Sequence, residues 1–252
     1  MRVMKTEIAE RYVEVLEQVA QAARRVGREP DEITLVAVTK TWPVEVLEAA
    51  YEVGIRDFGE NRAEELAEKR LELEKRRGKG LEITWHQIGD LQSRKTTLVA
   101  DHADVFHALD RIKIANRLSE RLVENGRAHM QPLPVFLEVN VSGEASKAGF
   151  DCSRWEEDVS QRESLKKAAV AVTGLSGLKP VGLMTMAPWD VSPDVVHEVF
   201  QRTRKLAEWL QTAVPQSNWS RLSMGMTDDF EIAVEEGATH VRIGRAIFGS
   251  RT

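Results

Sequence analysis

Hydrophobic positions along the chain keep two periods, and the two alternate. Ile8, Tyr12, Val15, Val19 and Ala22 recur at steps of three and four, which puts them on one face of an amphipathic N-terminal helix. The next run, Ile33–Thr39, is almost wholly apolar and β-branched, the pattern of a strand buried on both faces. From there the pattern predicts a helix over Val44–Val53, a short strand at Arg56–Phe58 and a charged helix from Asn61 to Arg77. "ITWHQIG" follows as a strand, "SRKTTLVA" as a helix, "DVFHALD" as a strand, Arg111–Asn125 as a helix and "LPVFLEVNV" as the clearest buried strand. A helix at Arg154–Val172, the strand "KPVGLMTM", a helix over Val195–Ala213, the strand "RLSMGM", a helix at Asp228–Glu236 and the strand "HVRIG" complete the series. Eight strands separated by helices fit a single (β/α)8 TIM barrel spanning residues 1–252, preceded by the N-terminal helix, with a doubly wound sheet as the alternative. No repeat, low-complexity tract or Pro/Gly/Ser linker divides the chain.

A barrel gathers its chemistry at the C-terminal ends of its strands. The polar residues there are Lys40 after strand one, Glu60 and Asn61 after strand two, His86 and Gln87 in strand three and Asn140 after strand five. Met184 and Met186 lie at strand six, Ser223 at strand seven, and Arg242 with Gly244 at strand eight. Lys40 is the conspicuous one, because a lysine is a poor end to a buried apolar run unless its amine has a task. Burial disfavours the ammonium, and the neutral amine attacks carbonyls to form a Schiff base. The plain alternative is a rim lysine whose head reaches water or pairs with Glu60. The glycine-containing stretches "RLSMGM" and "HVRIGRAIFG" fall where barrels build phosphate sites, with N–H groups at Gly244 and Arg245 and the Ser223 hydroxyl as donors. An aldehyde joined to a phosphate is the chemistry of pyridoxal 5′-phosphate (PLP).

Composition narrows the partners. The 252 residues carry 35 basic against 40 acidic side chains, a formal net charge of -5, with no basic stripe to neutralise a nucleic-acid backbone. The N-terminal segment is charged throughout, so neither a signal peptide nor a membrane-spanning segment is expected. One cysteine, Cys152, allows no internal disulfide and suits the reducing cytoplasm. No HExxH or CxxC occurs, and His102 and His107 lack metal-ligand spacing, so no metal is expected. The stretch "AEELAEKRLELEKRR" reads as a solvated helix surface.

The segments "LVAVTKTWPVE", "DFGEN", "WHQIGDLQSRK", "EVNVSGEASKAGF", "GLMTM" and "LSMGMTDDFEIAVEEGATHVRIGRAIFG", in this order, resemble the pyridoxal phosphate homeostasis protein family over nearly the whole chain. The resemblance implies a monomeric barrel like the N-terminal domain of alanine racemase, with PLP carried as an aldimine on Lys40. It implies phosphate contacts at Ser223, Gly244 and Arg245, an arginine, Arg242, near the pyridine nitrogen, and Asn61, Met184 and Met224 lining the pocket. The role implied is cytoplasmic vitamin B6 homeostasis, buffering or delivering PLP, with apo-PLP enzymes as recipients. The chain departs from the family in having Arg245 where relatives carry serine or threonine, and in Arg62 and Arg94 at the rim. Arg245 either binds the phosphate through its guanidinium or points away and leaves backbone donors.

Carrier and catalyst differ in what surrounds the ring. A guanidinium only donates, so Arg242 facing the pyridine nitrogen favours the unprotonated ring and weakens carbanion stabilisation. Its alternative is a rim ion pair with Glu235 or Glu236. A racemase also needs a second acid–base group. Tyr12 and Tyr51 lie inside helices, the sequence ends soon after the eighth strand, and His86 reads as a satisfied core histidine. No catalytic residue is therefore assigned. A racemase-like enzyme or a Schiff-base aldolase is the alternative function.

Overall fold

A computed structural model describes residues 2–144 and 147–249. The elements run α1 (Arg2–Arg25), β1 (Thr34–Val38), α2 (Val44–Glu52), β2 (Asp57–Glu60), α3 (Ala63–Arg77), β3 (Thr84–Gln87), α4 (Thr96–His102), β4 (Val105–Leu109), α5 (Ile112–Glu124), α6 (Arg127–Met130) and β5 (Leu133–Asn140). They continue with β6 (Phe150–Asp151), α7 (Val159–Thr173), β7 (Leu178–Met184), α8 (Pro193–Ala213), β8 (Arg221–Ser223), α9 (Phe230–Glu235), β9 (His240–Ile243) and α10 (Arg245–Phe248). Parallel strands follow the order β4-β3-β2-β1-β9-β8-β7-β5, and pairing of β4 with β5 closes the ring. The expected eight-stranded barrel is thus present. The two-residue β6 adds to the end of β5, Val139 opposite Phe150, and is too short to leave a period in the sequence.

Two expected elements end differently. The helix expected from Arg154 starts at Val159, because the Asp158 side chain caps it by accepting from the Ser160 N–H at 2.8 Å. The strand expected over 221–226 stops at Ser223, and Gly225, at φ 93°, turns the chain away.

Alternation along the strands separates a polar interior from an apolar jacket. On β1, Leu35 and Ala37 join the apolar layer beneath the helices, while Val38 and then Lys40 open into the cavity at the C-terminal mouth. Helix α1 buries Ile8, Val15, Val19 and Ala22 and lies across α2, α9 and α10. Arg25 at its end donates to Glu231 and Glu235 on α9.

The barrel axis holds His86, His107 and His240, all buried, around Phe136. The His107 ring stacks on Phe136 with centroids 4.6 Å apart. Burial, with the neighbouring histidines and Arg242, drives the His107 pKa well below the usual imidazole value; burial and His86 lower His240 to about 3. These two rings are neutral at physiological pH and pack as aromatic core.

No helix among the described residues is long and apolar enough to cross a membrane, and no cluster of three metal-ligating side chains occurs among them. Cys152 is fully buried, and burial with Asp151 nearby pushes its thiol up to about 12. A thiol reagent such as Ellman's is expected to leave the native protein unlabelled at neutral pH and to label one thiol after denaturation; fast native labelling would contradict this burial.

Candidate functional site: a bipolar cavity at the barrel mouth

Lys40 follows β1 and is held by its neighbours. The Thr39 hydroxyl donates to Glu60 Oε1 at 2.6 Å on the outer side of the barrel wall. Lys69 of α3 reaches the same place, and its ammonium donates at 2.7 Å to the Thr39 carbonyl, to Glu60 Oε1 and to Glu65 Oε1. Glu65 in turn accepts the Thr41 N–H, at a residue whose φ is 68°. Both peptide neighbours of Lys40 are therefore anchored outside the barrel, and period-two alternation leaves Lys40 facing the mouth. Glu60, an alternative partner for Lys40, is instead engaged by Lys69 behind the strand. Burial pushes the Glu60 carboxyl up to about 7, against the opposing pull of Lys69 and Thr39. The helix face expected to be solvated thus carries one buried lysine.

The mouth opens on a cavity of about 620 Å³. Lys40, Asn61, Met184, Arg242, Gly244 and Arg245, expected at the site from the sequence, all line it. Ser223 and Met224 do not: Met224 is fully buried in the apolar core, and Ser223 lies under Arg242. Thr227, Asp90 and Glu138 also line the cavity and were not singled out from the sequence. Glu138 had a legible signal, a carboxylate inside the apolar run "LPVFLEVNV", the same kind of signal that marks Lys40.

Arg242 is 5 % exposed and donates through Nη1 to Ser223 Oγ at 2.7 Å and through Nη2 to the Thr185 carbonyl at 3.1 Å. The rim pairing considered for it is excluded, since Glu235 pairs with Arg25 and Glu236 with His197 and Arg204. Burial lowers the guanidinium pKa to about 10, and Asp229 and Glu138 oppose that shift. Below Arg242 a line of contacts descends the axis: Ser223 Oγ to His107 Nδ1 at 2.7 Å, His107 Nε2 to His86 Nδ1 at 2.9 Å, and His86 Nε2 to Asp57 Oδ1 at 3.0 Å. A guanidinium only donates and a carboxylate only accepts. A run in which each group donates to the one below it, Arg242 to Ser223, Ser223 to His107, His107 to His86 and His86 to Asp57, satisfies every member and holds the guanidinium in one orientation at the cavity floor. His86 is accordingly part of a connected set, not a lone core histidine.

Gly244 is the N-cap of α10 and lines the cavity, offering first-turn N–H groups no competing side chain. The Arg245 side chain turns to the rim, where it pairs with Asp228 and stacks over Trp189 at 5.5 Å. Thr227 and the backbone at Gly244 line the cavity beside it. Gly89 allows the β3 loop to approach closely, because a Cβ there would come to 2.9 Å from the Asn61 Cα. Tyr12 and Tyr51 do not line the cavity; Tyr51 packs under Arg56 at 4.0 Å.

A parallel barrel with a lysine after its first strand, sharing one cavity with a buried arginine and a glycine-capped helix start, defines a class of protein able to hold an aldehyde bearing a phosphate. The alanine racemase N-terminal domain family matches residues 14–252. The pyridoxal phosphate homeostasis protein of Pseudomonas aeruginosa is 41% identical over 244 residues, 97% of this chain and 96% of that protein. The protein of the same name from Escherichia coli is 38% identical over 245 residues, 97% of each. PipY from Synechococcus elongatus, solved with PLP bound, superposes with a TM-score of 0.79 at 32% identity, covering 96% of this chain and 100% of PipY. Alanine racemase from Clostridium difficile shares the fold, with a TM-score of 0.63 at 13% identity. The chain belongs to the alanine racemase N-terminal domain family and, within it, to the pyridoxal phosphate homeostasis proteins.

Proposed function

We propose that this protein binds PLP in the barrel-mouth cavity and serves cytoplasmic PLP homeostasis, holding the cofactor reversibly and releasing it to apo-enzymes. One observation carries the reading: Lys40, at the other end of the sequence from Arg242 and Gly244, lines one cavity with them. The donor set suits the cofactor. The Lys40 amine suits its aldehyde, the Gly244 and Arg245 N–H groups with Thr227 suit its phosphate, and Arg242 suits its ring nitrogen. When bound, PLP supplies an electrophilic carbon that an amine can attach to and, in enzymes, an electron sink. Arg242 would oppose the second use, because a guanidinium only donates and would not keep a ring nitrogen beside it protonated. The protein accordingly stores PLP without efficient catalysis of its own.

Purified protein given PLP is expected to gain a near-visible absorption band that borohydride reduction fixes onto the peptide containing Lys40. Lys40→Ala should gain no such band. A protein that stays colourless with added PLP would overturn the reading in favour of a Schiff-base aldolase or a barrel that binds no aldehyde. Rapid racemisation of alanine by the loaded protein would refute the non-catalytic part alone.

A further inference from the structure

None of the cofactor contacts proposed above uses Glu138, yet it lines the cavity. In the closed strand order, β5 is the fourth strand from β1 in either direction, so Glu138 stands across the mouth from Lys40. The residue is 2 % exposed, and its Oε2 has no hydrogen-bond partner among the described residues. Leaving a buried carboxylate oxygen unpaired costs stability unless something arrives to pair with it. Gly149 keeps this wall in place, since a Cβ there would come to 2.8 Å from the Glu138 carbonyl oxygen. Asp90, after β3, lines the same cavity, and Asp110, after β4, adds its charge. The other arc, from β8 to β9, carries Arg242 and Gly244. The cavity is therefore bipolar: an anion fits one arc and a cation the other.

Resting on the function proposed above, we propose that Glu138, assisted by Asp90, forms a second subsite that binds the ammonium group of an incoming primary amine and takes a proton from it, so that the amine displaces Lys40 from the cofactor. The exchange balances without any oxidant or reductant. The ammonium gives one proton to the Glu138 carboxylate, and the freed amine forms a carbon–nitrogen bond to the aldehyde carbon. The bond from that carbon to Lys40 breaks, and Lys40 leaves as an amine that recovers the proton from Glu138. The groups acting on Glu138 suit this traffic: burial, Asp90 and Asp110 raise its carboxyl to about 7 while Arg242 pulls it back, with Lys40 in the same cavity. Both protonation states are populated near neutrality.

Two measurements test the subsite. In the cofactor-free protein, ethylammonium titrated at about pH 8 should saturate a site that shifts the NMR signal of the Glu138 side-chain carboxyl. Asp90→Asn should weaken that binding several-fold, and in Glu138→Gln, followed by calorimetry in place of the carboxyl signal, it should be lost. In PLP-loaded protein, ethylamine should accelerate cofactor release, and Glu138→Gln should slow the amine-dependent part about tenfold and flatten its rise between about pH 6 and pH 8. Wild-type rates and pH profile in Glu138→Gln would overturn the proposal, as would ethylammonium that leaves the Glu138 signal unmoved. A wild type that takes up no PLP overturns the proposed function and the displacement step together. A loaded protein indifferent to ethylamine overturns the displacement step alone.

Discussion

Replacing Lys69 with methionine lowers the unfolding free energy by about 3–5 kcal/mol at pH 8, the usual cost of removing one partner from a buried ion pair. The loss is large because three acceptors lose their charged donor at once, the Thr39 carbonyl, Glu60 Oε1 and Glu65 Oε1, and only neutral donors remain to them. Glu60 is fully buried and its Oε2 already lacks a partner among the described residues, so without the ammonium it holds a charge only at high cost. The loss shrinks as the pH falls. Without Lys69 the Glu60 carboxyl rises further above its value in the unfolded chain, so protonation relieves the folded state first. Lys69→Met combined with Glu60→Gln should recover most of the loss, since the buried charge goes with its partner. Urea denaturation of the three variants at two pH values measures this; equal losses at pH 5 and pH 8 would show that Glu60 is not the stranded charge. The consequence reaches the site, because the Thr39 carbonyl bonded to Lys69 belongs to the peptide unit that begins Lys40.

Lys69 also marks a limit of what the sequence makes legible. Its helix, "AEELAEKRLELEKRR", has charges on every face, and periodicity does not distinguish a lysine turned into the wall from those facing water. What decides is Glu60, nine residues earlier on another element, and that pairing exists only once the barrel has closed. The barrel itself was legible because each strand is a short apolar run between helical periods. Lys40 was legible because a charge ends such a run. Ser223 was expected at the pocket from its place near a glycine loop, and Met224 from the family resemblance alone, both weaker ground. Strand β8 ends at Ser223, whose hydroxyl meets His107 and Arg242 inside the barrel, and the next side chain, Met224, packs into the apolar core. The three axial histidines come from β3, β4 and β9, so their cluster could be seen only in three dimensions.

Glu138 carries a second large effect, on stability and with the opposite pH logic from a carboxylate in a good ion pair. Its folded-state pKa of about 7 lies above the ordinary 4.5, so between these values the folded protein binds more proton than the unfolded chain. Stability is therefore greatest below the unfolded value and is lost as the pH rises through 7. A shift of this size corresponds to about 3 kcal/mol, the extra cost that the ionised group imposes at pH 8 relative to pH 4.5. Glu138→Gln removes the titration while keeping the shape. Plotted against pH, the unfolding free energy of the variant should gain about 3 kcal/mol on the wild type between about pH 5 and pH 8. Glu60 titrates in the same range but is present in both proteins, so its contribution cancels in the difference. Parallel curves would mean that water or a neighbouring side chain stabilises the ionised carboxylate in solution. A widening gap would mean that the cavity wall holds a carboxyl the fold keeps at a cost, which is what a group reserved for an arriving cation requires.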